Sequence, residues 1–145
     1  ALLAGEMSGH VCFADNYFGF DDAIFAAGRI LQIVAQSNQK VSEMLADLPV
    51  TAYTPEIRID CPDDKKFEIV SELTEFFRKQ YEVIDIDGVR INFNDGWALI
   101  RASNTQPVLV LRFEAETQSR LKELVGIIKK QMDHYQPVVQ FDYQA

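Results

Sequence analysis

Apolar and polar positions change rhythm near residue 50, and that change divides the chain. In the first third, Ile24, Ala27, Leu31 and Val34 recur at helical spacing, with Phe25, Ile30 and Ile33 widening the stripe. So broad a stripe predicts a heavily buried helix that begins at Asp21 or Asp22, either of which can cap it. Residues 1–5 read as the end of a buried strand, followed by the polar loop "GEMSGH". After the break "SNQK", Val41, Met44, Leu45 and Leu48 predict a second short helix that stops at Pro49.

Two prolines bracket the extended stretch "PVTAYTP", and a different pattern follows it. Ile57 and Ile59 alternate about Arg58 as a strand. Pro62, Asp63 and Asp64 open a helix that turns Phe67, Val70, Leu73 and Phe77 inward and ends on Arg78 and Lys79, complementing the helix dipole. Ile84 and Ile86, then Val89, Ile91 and Phe93, alternate on either side of Asp87-Gly88, a hairpin signal. The turn "NDG" leads into "WALIR", and "VLVLRF", apolar on both faces, reads as a central strand. A last helix from near Thr117 buries Leu121, Leu124, Val125, Ile128, Met132 and Tyr135.

From residue 55 the order is therefore β-α-β-β-β-α, an α+β fold with an antiparallel sheet covered on one face by two helices. Residues 1–48 are expected to be the helical remnant of an α/β domain, since one strand end and two helices make no sheet. Residues 49–54 are the expected linker, and residues 55–145 the C-terminal domain.

Charge narrows the choice of partner. Fourteen basic residues stand against 22 acidic ones, a net charge of -8, so nucleic acid and anionic membrane are excluded as main partners. A phosphorylated small ligand needs only one local cluster of donors. Cys12 and Cys61 are far apart and lack metal-type spacing, which reads as reduced thiols in a cytoplasmic protein. No apolar stretch approaches the ~20 residues of a membrane span. The opening "ALLAG" starts inside an apolar run without an initiator methionine, so a fragment is expected.

Two loops carry the candidate chemistry. In "RASNT", Arg101 ends a strand with a guanidinium fork that can grip phosphate oxygens through paired hydrogen bonds. Ser103 and Thr105 add hydroxyls, Asn104 an amide, and the backbone N–H groups of a tight turn can converge on an anion. An ordinary turn with a surface arginine accounts for the same residues. In "GEMSGH", Glu6 can accept from adjacent sugar hydroxyls, Ser8 can donate or accept, and His10 can move a proton near neutral pH. An ordinary strand-to-helix turn is again the alternative. Arg112 is either a second cation near the "RASNT" loop or the partner of Glu114 or Glu116.

Taken in order, "GEMSGH", "FGFDD", "TPEI", "DGVR", "RASNTQP" and "VLVLRFEA" resemble the C-terminal part of the α-D-phosphohexomutases, along essentially the whole chain. The branch most similar is the bacterial phosphomannomutase/phosphoglucomutase, favoured over the phosphoglucosamine mutases by Met7 and Asn104. The resemblance implies that Glu6, Ser8 and His10 belong to the sugar-binding loop of a third domain, with His10 as a possible acid–base helper. It assigns Arg101, Ser103, Asn104 and Thr105 to the phosphate-binding loop of a fourth. It also implies a reaction between hexose 1-phosphate and hexose 6-phosphate through a bisphosphorylated sugar. The family's Thr-Ala-Ser-His-Asn-Pro type phosphoserine loop and its Asp-Gly-Asp-x-Asp magnesium loop do not occur here. Magnesium and the phosphoryl donor are thus expected outside this chain, in N-terminal domains of the same protein. The chain alone is expected to be inactive and to hold no metal. The alternative is a stand-alone phosphosugar- or protein-binding module without catalysis.

Overall fold

A computed structural model describes residues 1–6 and 8–143. The chain divides into two units, Ala1–Pro49 and Val50–Ala145. In the first, β1 (Leu3–Gly5) and β2 (Val11–Phe13) form an antiparallel ribbon that pairs Leu3 with Phe13 and Gly5 with Val11. β2 is a strand that the hydrophobic pattern did not reveal, and β1, expected to be buried, is exposed along its length. Helix α1 (Ala23–Gln36) is capped by Asp22, whose Oδ1 accepts from the N–H groups of Ile24 and Phe25.

No residue of α1 is buried, contrary to expectation. Ile24 is 87% exposed and Leu31 68%, while the half-buried positions are Phe25, Ala26, Arg29 and Val34. The physical reason is area: a two-stranded ribbon covers one narrow strip of a helix. The ring of Phe25 stacks on Tyr17 with centroids 3.8 Å apart and meets Phe13 edge-on. The expected second helix shrinks to one 3₁₀ turn, Val41–Glu43, followed by turns.

The second unit is an α+β sandwich of one sheet and two helices. Its strands are β3 (Ala52–Tyr53), β4 (Ile57–Asp60), β5 (Glu82–Ile84), β6 (Val89–Phe93), β7 (Gly96–Ala102) and β8 (Val108–Ala115). The order is β3-β8-β7-β6-β5, with β4 also on β8, and every pairing is antiparallel. Four strands, not three, lie between the two helices, because the two arms of the Asp87-Gly88 turn are separate strands. The stretch expected as a linker contributes β3. Where Pro55 interrupts the edge, the buried Thr54 bridges it: its N–H donates to Phe113 O, and its Oγ1 accepts from Phe113 N–H.

Helices α2 (Asp63–Arg78) and α3 (Gln118–Met132) cover one face. The strands alternate as period two requires. Ala98, Ile100 and Ala102 point into the core with Leu109, Leu111 and Phe113, and Leu73, Phe77, Leu121, Leu124 and Ile128 meet them from the helices. Val139 and Phe141, beyond the last helix, complete the core. Phe67, expected inward, is 56% exposed, and Lys66 takes the buried position beside it. Likewise Val83, not Ile84 or Ile86, packs against the core. Each of these is a phase error of one residue, at Phe67 near the start of α2 and at Ile84, which closes the three-residue β5.

Leu73 is fully buried between α2 and the sheet. Leu73→Ala is expected to destabilise the second unit by about 2–5 kcal/mol, read as a lower urea midpoint.

Candidate functional site

The "RASNT" segment closes the turn between β7 and β8. Pairing runs without a bulge from Gly96–Ala115 to Ala102–Leu109, so the turn is seated on seven consecutive residue pairs. Ser103 N–H donates to Val108 O at 3.0 Å, and the buried Ser103 Oγ accepts from the N–H groups of Thr105 and Gln106. Those two N–H groups are therefore turned onto Ser103. Asn104 and Thr105 are exposed at the tip. Ser103 supports the turn from within, while the side chains of Asn104 and Thr105 stand at its tip.

Arg101 lies on the face of the sheet that the helices leave uncovered. Its Nη1 donates to Asp87 Oδ2 at 2.9 Å, in an ion pair whose side chains are 41% and 58% exposed. Exposed pairs of this kind contribute about 0–1 kcal/mol, so Arg101 can exchange Asp87 for another acceptor at little cost. Gly88 holds that neighbour in place. Its φ is +85°, and a Cβ there would meet Ile100 O at 2.4 Å and Arg101 Cβ at 2.6 Å. Arg58 and Arg112 share the open face with Arg101, since Arg58 and Arg101 both pair with Val110. Arg58 bonds Glu56 and the Gln106 side chain. Arg112 pairs with neither Glu114 nor Glu116 among the described residues, and its buried Nε has no acceptor there.

Below the turn, Lys66 reaches up from α2. Its Nζ donates to Gln106 O at 3.0 Å and to Asp63 Oδ1 at 2.6 Å, and its side chain is 4% exposed. Lys66 is not singled out by the sequence pattern, and Asp87 is read there only as a hairpin-turn residue. A lysine in the apolar phase of a helix, three residues after an aspartate, is the one available signal.

The first unit brings Glu6, Ser8 and His10 together. Ser8 Oγ donates to Glu6 Oε2 at 3.0 Å, Glu6 N–H donates to His10 O, and Gly9 turns the loop at φ +92°. His10 Nδ1 is 2.5 Å from Asp21 Oδ2. Asp21 thereby holds one ring nitrogen and leaves Nε2 for a ligand. Glu6, His10, Cys12 and Asp21 border an open depression of about 360 Å³. Met7, which bears on the branch of the resemblance, lies outside the described residues. Among the described residues no three His, Cys, Asp or Glu side chains are grouped to hold a metal ion. None of their helices is long and apolar enough to cross a membrane.

Both loops present charged and hydroxyl groups on short polar turns between regular elements. Two family models match the chain. Residues 1–52 match phosphoglucomutase/phosphomannomutase, alpha/beta/alpha domain III, and residues 56–131 match phosphoglucomutase/phosphomannomutase, C-terminal domain. The chain belongs to the phosphoglucomutase/phosphomannomutase family.

A phosphomannomutase/phosphoglucomutase of Pseudomonas syringae pv. tomato is 44% identical over 94% of this chain and 30% of its own length. A phosphoglucomutase of Neisseria gonorrhoeae is 46% identical over 89% and 28%. The crystal structure of a phosphoglucomutase/phosphomannomutase family protein from Burkholderia thailandensis superposes with a TM-score of 0.80 at 34% identity, covering 99% of this chain and 30% of that one. The chain thus spans about 30% of the length of the relatives it matches.

Two outcomes follow from the geometry. Gly88→Ala strains a left-handed position and crowds Arg101, so a loss of about 1–3 kcal/mol is expected in urea unfolding, with shifted Arg101 side-chain resonances. In the first unit, the hydrogen bond from Tyr17 and the N–H groups of Phe25 and Ile24 hold the Asp22 carboxyl below its ordinary 3.8. A depressed carboxylate stabilises fully above its unfolded value and loses that effect as pH falls through the folded one. Helical ellipticity of α1 should therefore persist through pH 3.8 and fall below it, and Tyr17→Phe should move the loss to higher pH. An unchanged midpoint in Tyr17→Phe would contradict the assigned cause.

Proposed function

We propose that this chain is the substrate-recognition part of a phosphohexomutase that interconverts hexose 1-phosphate and hexose 6-phosphate, of mannose or glucose, through a bisphosphorylated sugar. The turn at the β7–β8 junction holds the phosphate that is not being transferred. Arg101 supplies the charge, Asn104 and Thr105 supply donors at the tip, and Ser103 keeps the turn in shape. Glu6 and Ser8 bind sugar hydroxyls, and His10, oriented by Asp21, helps move a proton at the sugar. Phosphoryl transfer and its magnesium belong to N-terminal domains of the same cytoplasmic protein, since the family's phosphoserine and magnesium loops do not occur in this sequence. The observation that carries the reading is Arg101 at the mouth of an exposed polar turn, inside a domain that matches the family's C-terminal domain.

The experiment has two arms. Glucose 1-phosphate added to this chain should shift the amides of Arg101 to Thr105. In the full-length protein, Arg101→Ala removes a charge-assisted bond of roughly 1.5–3 kcal/mol, so kcat/KM should fall by about one to two decades. The loss should be similar from the 1-phosphate and the 6-phosphate, and for mannose and glucose, because the turn reads phosphate. A value within twofold of wild type, or a loss in one direction only, refutes the shared phosphate site.

A further inference from the structure

The β7–β8 turn is tied to the rest of its unit from below. Pro107 O accepts from Cys61 N–H at 2.9 Å, and Gln106 O accepts from Val108 N–H at 2.9 Å and from Lys66 Nζ at 3.0 Å. Among the described residues, the Lys66 ammonium is the charged group that reaches the turn's backbone from outside its two strands. It occupies the core-facing phase of α2, with Ile69, Val70 and Leu73, where an apolar side chain would pack without a desolvation cost. A buried ammonium persists only where acceptors meet it, and here those are Gln106 O and Asp63. The Asp63 side chain is 71% exposed, so water screens it, while the Lys66 side chain itself is 4% exposed. The acceptor on the turn is a backbone carbonyl. Lys66 therefore constrains the path of the chain through Gln106, whatever side chain stands there.

We propose that Lys66 is a positioning residue for the phosphate site: its buried ammonium clamps the Gln106 carbonyl and holds the turn so that Asn104 and Thr105 face the ligand. This rests on the phosphate-binding reading above. Without the clamp, the two N–H groups that converge on Ser103 Oγ lose their fixed geometry, and the turn has to be ordered at the moment of binding. That raises Kd without altering which groups touch the phosphate.

The test compares the full chain with Lys66→Met, which keeps an apolar stem of similar reach, and with Lys66→Arg, which restores a charged donor. Amide exchange at Thr105, Gln106 and Val108 should quicken in Lys66→Met while Leu73 and Ile100 keep wild-type protection. The Kd for glucose 1-phosphate should rise about tenfold, the scale of one charge-assisted hydrogen bond. Lys66→Arg should recover most of both effects. A folded Lys66→Met with turn exchange unchanged, or with Kd within twofold of wild type, overturns the proposal. If the wild-type chain shows no shift at Arg101 to Thr105 with glucose 1-phosphate, the phosphate reading itself fails, and with it the positioning role. A further measurement needs no variant: on saturation the Lys66 ammonium resonance should move and that of the exposed Lys65 should not. If Lys66→Met does not fold, a Lys66 resonance that stays still during saturation overturns the proposal instead.

Discussion

The antiparallel register of β7 on β8 is the constraint from which the candidate phosphate site follows. Seven consecutive pairs set Ala102 opposite Leu109 and leave the chain only six residues in which to reverse. Those pairs decide which face each side chain takes. They send Ile100 and Leu111 toward the helices, and Arg101 and Arg112 to the open face. A slip of one residue would bury both arginines and expose the core. The site and the stability of the unit are therefore specified by the same hydrogen bonds.

Around that register, charge is arranged in two layers. Above the sheet, Arg101 is lightly held by Asp87 in a solvent-screened pair, close enough to be oriented and weak enough to be exchanged. Below the turn, the buried Lys66 ammonium donates to the backbone carbonyl of Gln106. An exposed ion pair suits a group that must change partners, and a buried ammonium on a backbone carbonyl suits one that holds the chain in place. The first unit repeats the theme on a smaller scale, with Asp21 holding His10 and Asp22 capping α1 from adjacent positions.

Much of this was legible in residue order. Asp87-Gly88 and "NDG" mark hairpin turns, Thr117 sits where a helix cap belongs, and "RASNTQP" interrupts two apolar runs with turn-forming and anion-binding residues at once. The core of α3 was readable because five periodic positions agree on one face. Where repeats were few, the phase slipped, as at Phe67 and Lys66 or at Ile84 and Val83. The burial of α1 was misjudged for another reason: an apolar stripe records what a helix can bury, while exposure depends on what lies against it.

Local chemistry was thus determined by the sequence itself, because caps, turns and periodic faces depend on residues a few positions apart. Partnerships across the sheet were decided only by tertiary structure. Asp87 lies 14 positions before Arg101, and Lys66 lies 40 before Gln106. No spacing rule connects residues so distant along the chain. They meet because strand register and helix packing bring them together, and both depend on the whole core.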